Sequence, residues 1–412
     1  MIQESFKKER IVVTGIGLVT PLGLTREKSW EKIKQGKSLL EEKNPQGLDQ
    51  PFNDFVRFSQ FQYSNGLKIP LGLKEIAIKD YPKFFSHWFS SPQTKEFSHR
   101  IFPLALSCVK EALNDASLEL SSLPKERVGC TVSVSKPIFP PFYFPDSLNQ
   151  YLKKELELLG PSSNLIAACA TGIHSLRLGS CWLKENLCDL VIAGSVESSL
   201  NALFISGFKR MGLLSNFPCP FDLRRNGFMM AEGAGVLILE RKKDALGRGA
   251  KIYAELKGTA IGSDTYHPTK FDSSGDSIAL VLKRALENAS VSIEEIDYIN
   301  CHGTGTFLND LTETRAIKTV FKKKAYTLSL SSTKSATGHL LGASASVEAG
   351  ISCLSIRDNF VPPTLNLESA DPECDLDYTA KQGKQKEIDC ALSLSFGFGG
   401  PIGAILFSKI YD

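Results

Sequence analysis

LIAACATGIHSL (165–176) puts a cysteine, Cys169, where an apolar strand-like run gives way to small residues and a helical stretch begins. TKSATGHLLGAS (333–344) repeats part of that wording: Ala170-Thr171-Gly172 returns as Ala336-Thr337-Gly338, with His339 directly after it. The repetition reads as an internal duplication, with two equivalent turns facing each other across a pseudo-twofold axis. One turn carries a thiol and its counterpart an imidazole.

The surrounding pattern agrees with that reading. Short apolar β-rich runs at 11–17, 128–134, 189–195 and 234–240 are followed by a second set at 252–262, 296–301, 391–396 and 403–408. Helical patterns at 101–115, 172–187, 275–289, 310–322 and 342–357 lie between them. Runs apolar on both faces suit strands covered by helices on both sides, and the alternation predicts an α/β architecture. The boundary between halves is expected near residue 250, giving an N-terminal half 1–250 with the cysteine and a C-terminal half 251–412 with the histidines. Two stretches look like insertions: the aromatic-rich 45–100, and SKPIFPPFYFP (135–145).

Composition narrows the function classes. The chain has 412 residues, 42% hydrophobic and 23% charged, and a net charge of +3, too small to imply a nucleic-acid partner. No window of eighteen or more apolar residues predicts a membrane span. The run IVVTGIGLV (11–19) holds two glycines and lacks a small-residue cleavage site after it, so it reads as a first strand, and a cytoplasmic location is expected. The 10 cysteines form no C-x-x-C pair and the six histidines lack ligand spacing, so neither a disulfide framework nor a metal site is expected.

The small-residue turns carry the chemistry. A helix N-terminus eases a thiol toward thiolate, and small neighbours leave room for a substrate carbonyl beside backbone N–H groups. Taken alone, Cys169 reads more readily as a buried cysteine packing between strand and helix. His302, in NCHGTGT (300–306), follows an apolar run where the chain turns through Gly303 and Gly305. His339 makes a second imidazole in a glycine-rich turn. Lys334 sits among small uncharged residues, and Asp310, Glu313 and Glu348 are carboxylates placed to pair with it or to orient a histidine. SLSFGFGGPIG (393–403) ends a strand in a glycine-rich turn bearing Phe396 and Phe398.

These motifs, together with RIVVTGIGLVTPLG (10–23), PFDLRRNGFMMAEGAGVLILE (220–240), GSDTYHPT (262–269) and STKSATGHLLGASASVEAG (332–350), resemble the β-ketoacyl-acyl carrier protein synthases of the synthase II type, condensing enzymes of the thiolase superfamily. The resemblance covers nearly the whole chain. It implies a five-layered α-β-α-β-α fold and a Cys169–His302–His339 triad, with Lys334 as the family's lysine and Asp310, Glu313 and Glu348 as its supporting carboxylates. It implies an oxyanion hole from the N–H groups of Cys169 and Phe398, and Phe398 as the gate of the acyl pocket. Thr304 and Thr306 match residues that contact the pantetheine arm. No metal or diffusible cofactor is implied, because the phosphopantetheine arrives on an acyl carrier protein. The implied partners are that carrier protein, acyl and malonyl thioesters, and a second copy of the chain in a homodimer.

The chain departs from the family in three places. The proline- and aromatic-rich segment replaces a glycine-rich stretch, which makes Phe142 and Phe144, with Phe396 and Phe398, candidate walls of the acyl pocket. Cys219 stands where the family has arginine, and Pro401-Ile402 where it has Thr-Asn. The competing readings are a non-catalytic chain-length-factor subunit, which would lack the nucleophile, and a thiolase, which would carry a second cysteine in the last glycine-rich turn. Lys209, Arg210, Arg224 and Arg225 are expected to supply a basic dock for an acidic carrier protein.

Overall fold

The computed structural model describes residues 9–41, 92–138, 145–200 and 202–411. The aromatic cluster Phe52–Phe89 and the side chains of Phe139, Phe142, Tyr143 and Phe144 lie outside the described residues.

The glycines of the first strand show how sequence dictates packing. In β1 (Ile11–Val19) every residue is buried. A Cβ on Gly15 would stand 2.2 Å from the carbonyl oxygen of Ala112, and one on Gly17 would stand 2.1 Å from that of Cys108. Both carbonyls belong to α2 (Pro92–Asp115), so the bare glycines let this helix lie directly on the strand. Helix α1 (Arg26–Lys34) follows β1, its N-terminus capped by the Thr25 hydroxyl.

Among the described residues, eight further strands complete one sheet. They are β2 (Val128–Ser133), β3 (Leu190–Glu197), β4 (Gly233–Arg241), β5 (Ala254–Ser263), β6 (Tyr298–Asn300), β7 (Ser329–Ser331), β10 (Cys390–Phe396) and β11 (Pro401–Ser408). The order across the sheet is β2-β3-β4-β1-β5-β11-β10-β6-β7. A separate two-stranded sheet pairs β8 (Phe360–Val361) with β9 (Lys384–Gln385).

Outward from the centre the two flanks mirror each other. On one side β1 pairs antiparallel with β4, β4 antiparallel with β3, and β3 parallel with β2. On the other β5 pairs antiparallel with β11, β11 antiparallel with β10, and β10 parallel with β6. Where β7 adds in parallel beyond β6, the first flank has a parallel bridge from Cys130 to Ser162. The flanks join through Ile11–Val13 of β1, antiparallel to Ala254–Leu256 of β5, so the strands form one continuous sheet.

Helices make the other layers. α2 and α3 (Ser147–Glu155) cover one flank, and α6 (Asp276–Ala289) with α7 (Phe307–Phe321) the other. Between the flanks, α4 (Thr171–Lys184) packs on β2 and β3 and against α9 (Ser344–Asp358), which touches both β4 and β10. The sequence of α9, SASVEAGISCLSIRD, is buried from Ser344 to Ile356 and rich in small residues, which lets a helix be enclosed by both flanks. This is the mixed α/β, thiolase-like architecture that the family resemblance implies.

The repeated Ala-Thr-Gly is not the structural repeat. α4 is preceded by a 3-10 turn at Ala168–Ala170, and α9 by one at Leu341–Ala343. Each turn starts on a non-glycine residue with left-handed backbone, Ala168 at φ 44° and Leu341 at φ 48°. Thr171 therefore corresponds to Ser344, and Cys169 to Gly342. Ala336-Thr337-Gly338 instead ends the short helix α8 (Lys334–Thr337), one turn upstream. The shared small residues are needed in both places for close packing, which is why the wording coincides out of register.

Candidate active site

The two central turns and two strand exits converge on a cavity of about 430 Å³. Cys169, His302, His339, Thr304, Thr306, Phe396 and Phe398 all line it. Sequence reasoning had not singled out Phe208, Phe228 and Leu341, which line it too. Phe228 packs edge-on against His339 with ring centroids 4.9 Å apart, and Phe208 lies 5.5 Å from Phe228 and 6.2 Å from Phe398. The signal for Phe228 was its place within the quoted motif NGFMMAEGAG.

Cys169 sits in the 3-10 turn before α4 and is half-buried. Its surface reaches the cavity, but its surroundings are almost wholly protein. Burial pushes its thiol up to about 12, against the pull of Lys136 and Lys334. Desolvation thus opposes the thiolate that a helix N-terminus favours.

Gly397 brings the loop after β10 onto this turn. A Cβ there would lie 2.7 Å from Cβ of Ala168 and 2.9 Å from the backbone N of Cys169. The neighbouring N–H groups are committed: Ala170 donates to Ala167 O, Gly397 to Pro401 O and Gly399 to Pro268 O. The N–H groups of Cys169 and Phe398 have no backbone acceptor among the described residues. The Ser395 hydroxyl donates to the Cys169 carbonyl at 2.9 Å and ties the turn to β10.

His302 and His339 face each other edge to face, with centroids 5.5 Å apart. The backbone N–H of Leu341 donates to Nδ1 of His339 at 3.2 Å, and the Ser344 hydroxyl lies 2.9 Å from the same atom. A backbone N–H can only donate, so Nδ1 is an acceptor and the ring proton sits on Nε2. His302 is held through its backbone: its N–H and that of Gly303 donate to the two oxygens of Glu313 at 2.7 and 2.8 Å. Its ring also packs edge-on to Phe396, 5.2 Å between centroids. Burial, and then the Lys334 ammonium, hold both imidazoles well below 6.5, so both are neutral at pH 7.

Lys334 is buried and its Nζ contacts Oε1 of Glu348 at 2.5 Å. Burial raises Glu348 to about 7 against that lysine's pull. Glu313 is raised by burial to about 8, opposed by its two backbone N–H donors. Glu348 therefore pairs with the lysine, whereas Glu313 orients the His302 turn. Asp310 does a third job. Its carboxylate accepts the N–H groups of Phe221 and Gly305 at 2.8 and 3.1 Å and the Asn309 amide at 3.1 Å, and lies 3.7 Å from Nε of Arg225. Beyond the histidines, the hydroxyls of Thr304 and Thr306 stand 2.9 Å apart on the way to the cavity mouth.

The mouth is ringed by exposed apolar residues, Met211, Phe307 and Leu308. Exposed Lys209 and Arg210 at the end of α5 (Ala202–Arg210) adjoin it, and Lys270 lines it. The other two arginines expected in a dock are occupied: Arg225 is buried and pairs with Asp371 at 2.7 Å, and Arg224 pairs with Asp222 and Glu368. They brace the Phe221 turn.

Known proteins resemble the chain over almost its whole length. The model for the β-ketoacyl synthase N-terminal domain matches residues 8–154 and 151–245, and that for the C-terminal domain matches residues 253–368. The chain is 32% identical to 3-oxoacyl-[acyl-carrier-protein] synthase 2 of Coxiella burnetii, over 98% of this chain and 100% of that protein. It is 33% identical to the Synechocystis enzyme of the same name, over 98% and 99%. Among solved structures, a chain from a type II polyketide complex of an acyl-carrier protein with its ketosynthase bound to the hexaketide superposes with TM-score 0.79 at 29% identity, covering 98% of this chain and 100% of that one. A β-ketoacyl synthase from Burkholderia phymatum gives TM-score 0.78 at 24% identity, which speaks for the fold alone. With a cysteine and two neutral imidazoles on one cavity and both domain models matched in order, the chain belongs to the β-ketoacyl synthase family.

Proposed function

We propose that the protein is a β-ketoacyl-acyl carrier protein synthase in which Cys169 carries the acyl group and His302 and His339 act on the incoming malonyl thioester. Membership of the family makes it an acyltransferase that joins acyl units by decarboxylative condensation. The observation that carries the assignment of roles is the pair of neutral histidines beside Cys169. A neutral imidazole with its proton on Nε2 donates to an oxygen while carrying no positive charge that would hold the malonyl carboxylate in place.

In this reading the Cys169 sulfur attacks an acyl thioester, and the pantetheine thiol leaves. The developing oxyanion is met by the N–H groups of Cys169 and Phe398. Malonyl-carrier protein then enters through the mouth, its arm running past Thr304 and Thr306. Nε2–H of His339, together with the His302 ring, stabilises the enolate as carbon dioxide departs. The enolate carbon attacks the acyl-cysteine carbonyl, the Cys169 sulfur leaves, and a β-ketoacyl chain two carbons longer departs on the carrier. No step calls on a metal or a diffusible cofactor. Lys334 sets the charge around both imidazoles, Glu348 balances it, and Glu313 and Asp310 hold the turns.

The same proposal places the division of the chain between residues 1–250 and 251–412, Phe396 and Phe398 on the acyl side of the cavity, and Lys209 with Arg210 in the carrier dock. It also takes the protein to be a cytoplasmic homodimer. Among the described residues no helix is long and apolar enough to cross a membrane. Light scattering on the eluted protein decides the dimer: a monomer at micromolar concentration refutes it. The function is tested with acyl- and malonyl-carrier proteins by mass of the product. Condensation in the parent and none in Cys169→Ala is the expected result. Product formed by Cys169→Ala overturns the assignment. A parent that takes no acyl group favours the chain-length-factor reading.

A further inference from the structure

His339 is held at its backbone from both sides. Its N–H donates to the Met229 carbonyl at 2.7 Å, and its own carbonyl accepts the Ala231 N–H at 2.9 Å. The ring stands against Phe228 and His302, both edge-on, with centroids 4.9 and 5.5 Å away. Aromatic edges set the plane of the ring but do not choose which nitrogen faces the cavity. That choice falls to polar contacts, and both are made at Nδ1: the Leu341 N–H at 3.2 Å and the Ser344 hydroxyl at 2.9 Å. Ser344 is buried, and among the described residues it gives the ring its one hydrogen bond from a side chain.

The duplicated fold supplies its own comparison. Thr171 is the counterpart of Ser344 in the first half, each being the first residue of its helix. The Thr171 hydroxyl closes its own turn: it donates to the Ala168 carbonyl at 2.8 Å and accepts the Ala167 N–H at 3.0 Å. The matching groups in the second half are the Leu341 carbonyl and the Leu340 N–H, and among the described residues the Ser344 hydroxyl bonds to neither. The turn at Leu341–Ala343 keeps its form without that brace. The hydroxyl is turned onto the ring instead. Because Nδ1 also takes a backbone N–H it bears no proton, and the hydroxyl is therefore the donor.

We propose that Ser344 is a positioning residue for decarboxylation: its hydroxyl, donating to Nδ1, pins the His339 ring with Nε2–H toward the cavity, where the enolate oxygen forms. The inference rests on His339 being an enolate stabiliser, and His339→Ala in the same assay separates the two. Carbon dioxide release at the parent rate by His339→Ala overturns that reading and this proposal with it. Slow release by His339→Ala with parent-rate release by Ser344→Ala overturns this proposal alone.

Carbon dioxide release from saturating malonyl-carrier protein gives kcat for this half-reaction, and acyl transfer to Cys169, followed by intact mass, reads the other. Ser344→Ala is expected to slow release about three- to tenfold, the size of one hydrogen bond, with the loss in kcat rather than KM and larger than any loss in acyl transfer. Ser344→Thr, which places at this position the residue type its counterpart carries, restores release. Ser344→Cys, close to serine in size but a poor donor, does not, and it decides alone if threonine does not fit. In nitrogen NMR spectra the Nδ1 resonance, identified by its loss in His339→Ala, moves in Ser344→Ala toward that of a ring nitrogen accepting no hydrogen bond. A serine that merely packs the turn would slow both half-reactions alike, or leave Ser344→Cys as fast as the parent, and either result overturns the proposal. So does a folded Ser344→Thr as slow as Ser344→Ala, or an Nδ1 resonance that stays in place.

Discussion

Gly397→Ala tests whether the gate loop and the nucleophile turn form one unit. Gly397 does not adopt left-handed backbone, so alanine meets no conformational barrier there. What it meets is matter. Its Cβ would stand 2.7 Å from the Ala168 methyl, 2.9 Å from the Cys169 nitrogen and 3.1 Å from the Ala167 carbonyl oxygen. Two of the three are backbone atoms, and the turn is held by Ser395 at 2.9 Å, so the loop must yield. Overpacking of this kind costs about 1–3 kcal/mol. At about 2.1 cal/mol/K per residue, a chain of 412 residues then loses about 1–4 °C in Tm. The functional loss is expected to be larger. Moving the Phe398 N–H away from the sulfur removes one oxyanion donor, and such losses slow acyl transfer by about 10²–10³. Transfer from acyl-carrier protein to Cys169, followed by intact mass in single turnover, measures this directly. Gly207→Ala is the control: its Cβ meets nothing within 4 Å, and it lies in α5, where alanine favours the helix by about 0.5–1 kcal/mol. If Gly397→Ala acylates at the parent rate while folding normally, the Phe398 N–H is not part of the oxyanion site.

His302→Ala and His339→Ala are expected to accept an acyl group on Cys169 yet release carbon dioxide from malonyl-carrier protein at least tenfold more slowly; normal release in both refutes their role as enolate stabilisers. In the parent, decarboxylation is expected to be flat above pH 6.5, since both imidazoles are neutral there, and to fall as they take up protons at lower pH. Lys334→Met removes the charge that, after burial, most depresses both rings, so its acid limb moves to higher pH, whereas Glu348→Gln moves it lower; limbs that stay in place show that the ion pair does not govern the histidines. Charge reversal at Lys209 and Arg210 together should raise the KM for carrier-bound substrate and flatten its salt dependence, and an unchanged salt response places the dock elsewhere.

The strands were legible where burial on both faces left a run of apolar letters, as in IVVTGIGLV and AGVLILE. β7 was not, because its three residues, Ser329-Leu330-Ser331, are buried by position at the sheet edge and carry little apolar signal. The duplication was legible in the alternation of elements, but its register was not. Backbone angle, not residue type, marks the equivalent points Ala168 and Leu341, and no letter of the sequence reports a φ. Among site residues, those with distinctive chemistry stood out: a cysteine, two histidines and a lysine in small-residue turns. Phe228 and Phe208 act through shape and are indistinguishable in sequence from core phenylalanines. The separate tasks of Asp310, Glu313 and Glu348 also needed coordinates, since which carboxylate meets Lys334 depends on where α7 and α9 carry them in the fold.

The site's electrostatics follow from one fact, that its histidines, lysine and carboxylates are buried between two flanks of sheet, with Cys169 half-buried among them. Burial neutralises each group that has a choice: the thiol keeps its proton, the imidazoles shed theirs, and Glu313 and Glu348 are pushed toward their acid forms. For hydrogen-bond donors that is the useful state. A charged imidazolium would bind the malonyl carboxylate and hold back carbon dioxide, whereas a neutral Nε2–H favours the enolate oxygen that forms as the carboxylate leaves. For the proposed nucleophile it is the wrong state, and two lysines work against it. Lys334 serves both ends at once, easing the thiol toward thiolate and holding the histidines neutral, because a positive charge favours loss of a proton from either. A single carboxylate near the rings would reverse both effects, and the carboxylates here are turned to other work: Glu348 onto the lysine, Glu313 onto backbone N–H groups, and Asp310 onto the Phe221 turn.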